Sequence, residues 1–321
     1  MPLPAISDVH VNKPLTNIAV AYMQSQDKFI ADKVFPIVPV EKEGDRYFKF
    51  DKGDWFRDEA RVRAPGTESP GINFRIDNTP TYFCDVHAVH YDIPDVVRLN
   101  ADSPLSLDTS TTQAIITHQL LIRRERLWAS RCFKTGVWGE DWIGGTDFVK
   151  WSDITDEESD PIADISRAVI AIEQSTGFSP NVLVLGPEAF AAIKNHPKII
   201  ERVKYTQKAV ITADILAGLF ELERVLVAKA VVNTGEEGKT EDMKYIFGDS
   251  ALLCYAAPAP AIMAPSAGYT FVWTGLVGSV NGLRIKTFRM EHLASDRIEG
   301  ELAVDVQVVG KDLGIFFSDT V

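Results

Sequence analysis

The 321-residue sequence predicts an α+β fold. Three observations carry this. One helical candidate, about residues 108–134, is far longer than any other element. Hairpin strands precede it, and a mixed region of helices and strands followed by late strands comes after it. Residues 250–283 carry no charge at all, and Pro258, Pro260 and Pro265 break any helix there. A membrane-spanning helix is therefore excluded for that stretch, which reads as buried strands and apolar loops.

The elements follow in order. Residues 1–35 read as an arm, because Pro2, Pro4 and Pro14 oppose helix and 17–23 offers at most one turn. Phe35-Pro-Ile-Val-Pro-Val40 reads as an edge strand, where proline costs no ladder bond. Residues 41–63 carry seven acids and seven bases in 23 positions, with Tyr47, Phe48, Phe50, Trp55 and Phe56 among them. Ala64–Gly71 is a turn-rich tip. Phe74–Ile76 and Thr81–His90 read as the returning strands of a long hairpin. A two-stranded excursion is marginal alone in water, so it is expected to lie against something else.

The long helix has cap candidates at Ser103, Ser106 and Asp108, with Pro104 near its start. Ile115, Leu121 or Ile122, Ala129 and Cys132 suggest its apolar stripe, and Arg123–Arg126 its polar face. Residues 136–160 read as a loop holding Trp138, Trp142 and Trp151. Pro161 opens a second helix with Ile162, Ile165, Val169 and Ile172 inward and Gly177 as its stop. Asn181–Leu185 is a buried strand. Pro187–Asn195, Pro197–Tyr205 and Ala213–Leu219, the last capped by Thr212, are short helices. Arg224–Val232 is a strand, a turn follows at Gly235–Gly238, and Lys244–Phe247 pairs back. Leu283–His292 and Leu302–Val309 are late strands.

Lys and Arg number 33 and Asp and Glu 45, a net charge of −12 that disfavours a dedicated nucleic-acid binder. Cys84, Cys132 and Cys254 share no close spacing, so reduced thiols are expected instead of a disulfide framework.

Several motifs invite chemistry. Asn233-Thr-Gly-Glu-Glu-Gly-Lys-Thr240 ends like a phosphate-binding loop, with Lys239 and Thr240 in the ligand positions. However, Asn233 replaces the first glycine, Glu236 and Glu237 repel phosphate, and a strand follows where a helix is needed. A hairpin turn is the better reading. His87 and His90, three apart on a strand, point to opposite faces and make no metal pair. Asp153, Asp156, Glu157, Glu158 and Asp160 lack the register of a calcium loop. No catalytic residue, cofactor or metal site is expected. The charge block does suit pairing with a neighbour, since opposite charges fix register. Its candidate contact residues are Lys52, Asp54, Trp55, Phe56, Arg57, Asp58, Glu59, Arg61 and Arg63.

Arm, hairpin, long helix, second helix, mixed domain and return strands stand in a particular order. This order resembles the major capsid proteins of tailed bacteriophages, with the HK97-like capsid fold. Phe29–Pro36 looks like the arm leading to the hairpin, and Asp51–Ala60 with Arg63–Thr67 like the extended loop. Asp92–Asp95 with Asn100–Asp102 looks like the lead-in to the spine helix. Lys150–Asp153 and Asp160–Ile162 look like the segment after it, and Asn181–Pro187 with His196-Pro197 like the start of the axial domain. The resemblance implies an N-terminal arm (1–40), an extended hairpin loop (41–95), a peripheral domain with the spine helix (96–180), an axial domain (181–282) and return strands of the peripheral domain (283–321). It implies a virion shell of homo-hexamers and pentamers, assembled in the host bacterial cytoplasm around double-stranded DNA that is enclosed without sequence-specific binding. Implied partners are a portal protein, a separate scaffolding protein and a decoration protein, with no membrane. Two other readings stand beside it: an encapsulin-like bacterial nanocompartment, and a cytosolic nucleotide hydrolase using Lys239 and Thr240.

Overall fold

The computed structural model describes residues 24–50, 52–73, 75–100, 109–204, 211–261, 264–276 and 279–321. The turn at 17–23, the cap candidates 103–108, Asp51, Phe74 and the Tyr205 end of the expected helix Pro197–Tyr205 lie outside these residues.

Helix α1 (Ala31–Val34) leads into strand β1 (Ile37–Val40). Strands β2 (Gly44–Arg46) and β3 (Lys49–Phe50) and the short helix α2 (Lys52–Trp55) run outward; β4 (Ile76–Asp77) and β5 (Thr81–Phe83) return. Then come β6 (Val86–Pro94), α3 (Asp95–Asn100) and the long helix α4 (Thr109–Cys132). The middle of the chain holds β7 (Glu140–Ile143), α5 (Pro161–Thr176), β8 (Val182–Leu185), α6 (Pro187–Asn195), α7 (Pro197–Val203), α8 (Ala213–Leu219) and β9 (Arg224–Val227). A small hairpin, β10 (Val231–Asn233) and β11 (Met243–Tyr245), precedes β12 (Ala251–Cys254) and β13 (Gly268–Trp273). The chain ends with β14 (Leu283–Met290), β15 (Ser295–Val308) and β16 (Gly314–Ser318).

The first sheet is organised by β15, whose 14 residues pair with three strands. β14 takes residues 295–302, β6 takes 295–303, and β13 takes 304–308, all antiparallel. β1 adds to β13 in parallel and forms one edge, where Pro39 is tolerated. One face of this sheet packs on α4 through Ile116, Leu120, Ile298 and Leu302. The other carries cross-strand ion pairs: Arg284 and Lys286 with Glu301, and Arg297 with Asp92 at 2.7 Å. Gly300 lets the helix lie directly on the strand. A Cβ there would stand 2.3 Å from Ile116 Cγ2 and 2.8 Å from Leu120 Cδ1. Gly300→Ala is expected to lower subunit stability by about 1–3 kcal/mol through overpacking, read as a fall in the denaturation midpoint. An unchanged midpoint would mean the helix can lift away at no cost.

The second sheet has the order β7-β16-β12-β8-β9. Its inner strands β16, β12 and β8 are buried on both faces and are continuously apolar. Leu183, Leu185, Leu253 and Phe317 face helices α5 to α8. Val182, Val184, Leu252, Cys254 and Phe316 face Trp128 and Cys132 at the end of α4, together with Ile30, Val34 and Phe35. Asp160 caps α5 by accepting from the Ile162 and Ala163 N–H groups at 3.1 Å, and Gly177 ends it at φ 73°.

Several expectations are corrected. Residues 29–35 are not a peripheral arm: Phe29, Ile30, Ala31, Val34 and Phe35 are core. The buried face of α4 carries Ile116, Leu120, Trp128 and Cys132, while Ile115 is exposed. Arg124 and Glu125, assigned to the polar face, are buried because the segment 29–35 covers that side. Glu125 accepts the Ile30 and Ala31 N–H groups at 2.8 and 3.0 Å, and Arg124 pairs with Asp32 at 3.1 Å. The loop 136–160 contains β7, a parallel edge strand whose two acids masked its pattern. Arg224–Val232 is two strands, because the chain leaves the second sheet at Val227. Residues 283–321 are not one set of returns: β16 crosses into the second sheet. The expected boundary at 180/181 also divides α5 from β8, which share a core.

Candidate assembly surface

The hairpin has a rooted base and an exposed outer part. At the base, β2 pairs β5, and β3 pairs β4, both antiparallel. Tyr82 stacks on Phe271 of β13 at 4.5 Å between ring centroids, with Tyr47 on Phe271 at 5.6 Å. Cys84 is buried beneath them. Farther out, Asp54 clamps the two legs together, accepting from the Arg75 backbone N–H and Nε at 3.0 Å each. The Arg75 guanidinium holds the Asp54 carboxyl below its ordinary range.

The nine sequence candidates divide. Lys52 pairs with Asp312 at 2.6 Å, so it ties the hairpin to its own subunit. Asp54 is consumed inside the hairpin, and Arg57 lies 3.8 Å from Asp54 and 4.0 Å from Glu59. Trp55 closes α2. Phe56 is 65% exposed; its ring reaches Gly177, where a Cβ would stand 3.4 Å from Cε1 and 3.5 Å from Cζ. Asp58 and Arg61 are exposed, and Arg63 donates to the Thr67 carbonyl at the tip. Much of the charge block is thus partnered within the chain.

What sequence reasoning missed is apolar. Phe48, Val62, Ile72, Ile76 and Phe83 are all exposed along this one excursion. Alternation of large apolar residues with charges on both legs was the available signal, but charge density drew the reading instead. Scattered exposed apolar residues are ordinary; this many on one protrusion make it a candidate contact surface.

The chemical motifs resolve as structure. Lys239 pairs with exposed Glu236 in the turn between β10 and β11, and Asn233 Oδ1 accepts from Gly235 and Asp242 N–H groups at 2.9 and 3.0 Å. No helix follows, so no N–H cradle for phosphate forms. Ser159 Oγ lies 3.3 Å from buried His196 Nε2, the spacing of a nucleophile and base. Here His196 Nδ1 accepts the Lys198 N–H at 3.3 Å, which puts the ring proton on Nε2. The Ser159 hydroxyl donates to the Lys150 carbonyl at 3.0 Å. The pair is a tether between two loops, without an activated nucleophile. Burial pushes the Cys84 thiol up to about 11 and Cys254 up to about 12, and raises Cys132 too, so none is a ready thiolate. No group of three or more His, Cys, Asp or Glu side chains among the described residues is placed to hold a metal. Among them, too, no helix is long and apolar enough to cross a membrane.

A family model described as phage major capsid protein E matches residues 147–262. The major capsid protein of Burkholderia phage BcepMu is 29% identical over 295 residues, 90% of this chain and 91% of that one. A crystal structure of a phage-related protein from Bordetella bronchiseptica matches with TM-score 0.69 at 25% identity, covering 92% and 94% of the two chains. The capsid of cyanophage P-SCSP1u matches with TM-score 0.63 at 10% identity, over 98% and 94%. An encapsulin from Synechococcus elongatus also matches, with TM-score 0.53 at 11% identity over 99% and 95%, a likeness of fold alone. Sequence similarity to phage major capsid proteins runs along most of the chain, and the chain has the HK97-like fold of the phage capsids it matches.

Proposed function

We propose that the subunit builds hexamers and pentamers of a closed icosahedral head, with the hairpin as the element that grips the neighbouring copy. The observation that carries this is the row of exposed apolar side chains on a hairpin whose root is firmly mounted. A lone subunit gains nothing from such a feature, whereas a lattice buries it. The first sheet with α4 serves as the peripheral domain and the second sheet with α5 to α8 as the axial domain. An acidic chain encloses double-stranded DNA without gripping it.

The role is mechanical, with no reaction step. A portal, a separate scaffolding protein and a decoration protein complete the assembly. Electron microscopy of particles from expressing cells tests the reading. Closed shells are the expected result, and a subunit that stays monomeric at every concentration would overturn it. Lys239→Ala should leave shells intact and change subunit stability by less than about 0.5 kcal/mol, as for an exposed turn. Tight ATP binding lost in that variant would restore the nucleotide reading.

A further inference from the structure

The base of the hairpin rests on one buried carboxylate. Asp305 lies on β15 opposite Phe271 of β13. Its side chain is 1% exposed. One oxygen accepts the Phe83 N–H of the hairpin at 3.0 Å and the Gln307 side-chain amide at 2.8 Å. The other pairs with Arg131, near the end of α4, whose guanidinium also donates to the Val306 carbonyl at 3.3 Å. The Phe83 N–H points out of the β2–β5 ladder, and Asp305 is its partner. Three elements therefore meet at this carboxylate: the hairpin, the first sheet and the long helix.

A buried charge is costly unless paired and hydrogen-bonded, and this one is both. The adjacent Tyr82–Phe271 stack fixes the height of the root over the sheet, but stacked rings slide and turn with little penalty. A charge-assisted bond to a backbone N–H is directional. The exposed apolar side chains run outward from Phe83 to Ile76, seven residues and roughly 20 Å along the strand, and on to Ile72 and Val62 nearer the tip. A small rotation at the root is magnified over that arm.

We propose that Asp305 is a positioning residue for assembly, which sets the direction of the hairpin by tying Phe83 to Arg131. The proposal rests on the hairpin being the gripping element. Asp305 touches no neighbour itself; it acts through the hairpin.

The test uses the full chain carrying Asp305→Asn, with two readouts. Hydrogen exchange of soluble subunits should speed up about tenfold in peptides covering 44–50 and 76–84, while β8 and β12 keep their protection. Electron microscopy should find open or irregular particles in place of closed shells. Ile193→Ala, a cavity in the second-sheet core, serves as the control for lost stability alone; it should leave hairpin exchange and shell shape unchanged. Should Asp305→Asn fail to fold, Arg131→Gln carries the same readouts. Wild-type hairpin exchange with regular shells would overturn the proposal, as would irregular shells in the Ile193→Ala control. If a chain without the hairpin still forms shells, the gripping role itself fails. If that chain forms none while Asp305→Asn forms regular ones, only the positioning role fails.

Discussion

Replacing residues Gly53–Asn78 with a short Gly/Ser linker is expected to abolish closed shells while leaving a folded, soluble subunit. The segment removes Phe56, Val62, Ile72 and Ile76, all exposed, together with the Asp54–Arg75 clamp. It spares both sheets, α4 and the Tyr82–Phe271 root, so the cores that make the subunit melt cooperatively remain. What disappears is apolar area buried on a neighbour, at about 25 cal/mol per Å². Contacts in such a lattice are individually weak and numerous, so losing one set in every subunit is decisive. A milder version, Arg57→Glu with Arg61→Glu, adds negative charge to the block and should slow assembly most at low salt, where repulsion is least screened. Melting and particle formation are measured together. A deletion that melts like the wild type and still yields complete shells would show that the excursion is decoration.

Glu125→Ala should cost about 3 kcal/mol at pH 5, because it leaves the buried Ile30 and Ala31 N–H groups without an acceptor. The carboxyl is fully buried, and this desolvation pushes its pKa up to about 7, against the pull of the two N–H donors and Arg124. The shift sets a pH dependence. A carboxyl whose folded pKa lies above its unfolded value near 4.5 takes up a proton on folding between the two. Its stabilising contribution is complete below that range and is lost as pH rises through about 7. The paired carboxylates Asp92, Asp95 and Glu301 are shifted down and act in the opposite sense. Comparing the wild type with Glu125→Gln removes their common background. The cost of Glu125→Gln should therefore be larger at pH 5 than at pH 8, by up to about 3 kcal/mol. Denaturation of soluble subunits at pH 5, 6.5 and 8 measures it. A cost that is flat or grows with pH would mean that Glu125 is ionised in the folded subunit throughout.

Glu125 also marks where sequence reading stops. Its neighbours Arg123, Arg124 and Arg126 made it look like part of a solvated face, because helical periodicity sees only residues a few positions apart. Its partners lie about 95 positions away, on a segment that composition alone made an arm. The same distance problem hid the hairpin root: Phe83 and Asp305 are 222 positions apart. It also hid the destination of β16, since a continuous apolar run such as Gly314–Phe317 says that a strand is buried, not which sheet receives it.

By itself the sequence determined the local pieces. Pro161 and Gly177 bound α5; Pro187 and Pro197 start α6 and α7; Gly235–Gly238 turns the chain between β10 and β11. Caps, prolines and glycines act on the nearest backbone bonds, so no distant partner is needed to read them. The order of those pieces was enough to point to a capsid subunit. Only the tertiary structure decided that residues 29–35 are core, that β15 joins three strands, and which charges of the hairpin serve the subunit itself. Burial, strand pairing and ion-pair choice depend on what chain folding brings within a few ångströms, and that is fixed by the whole fold at once.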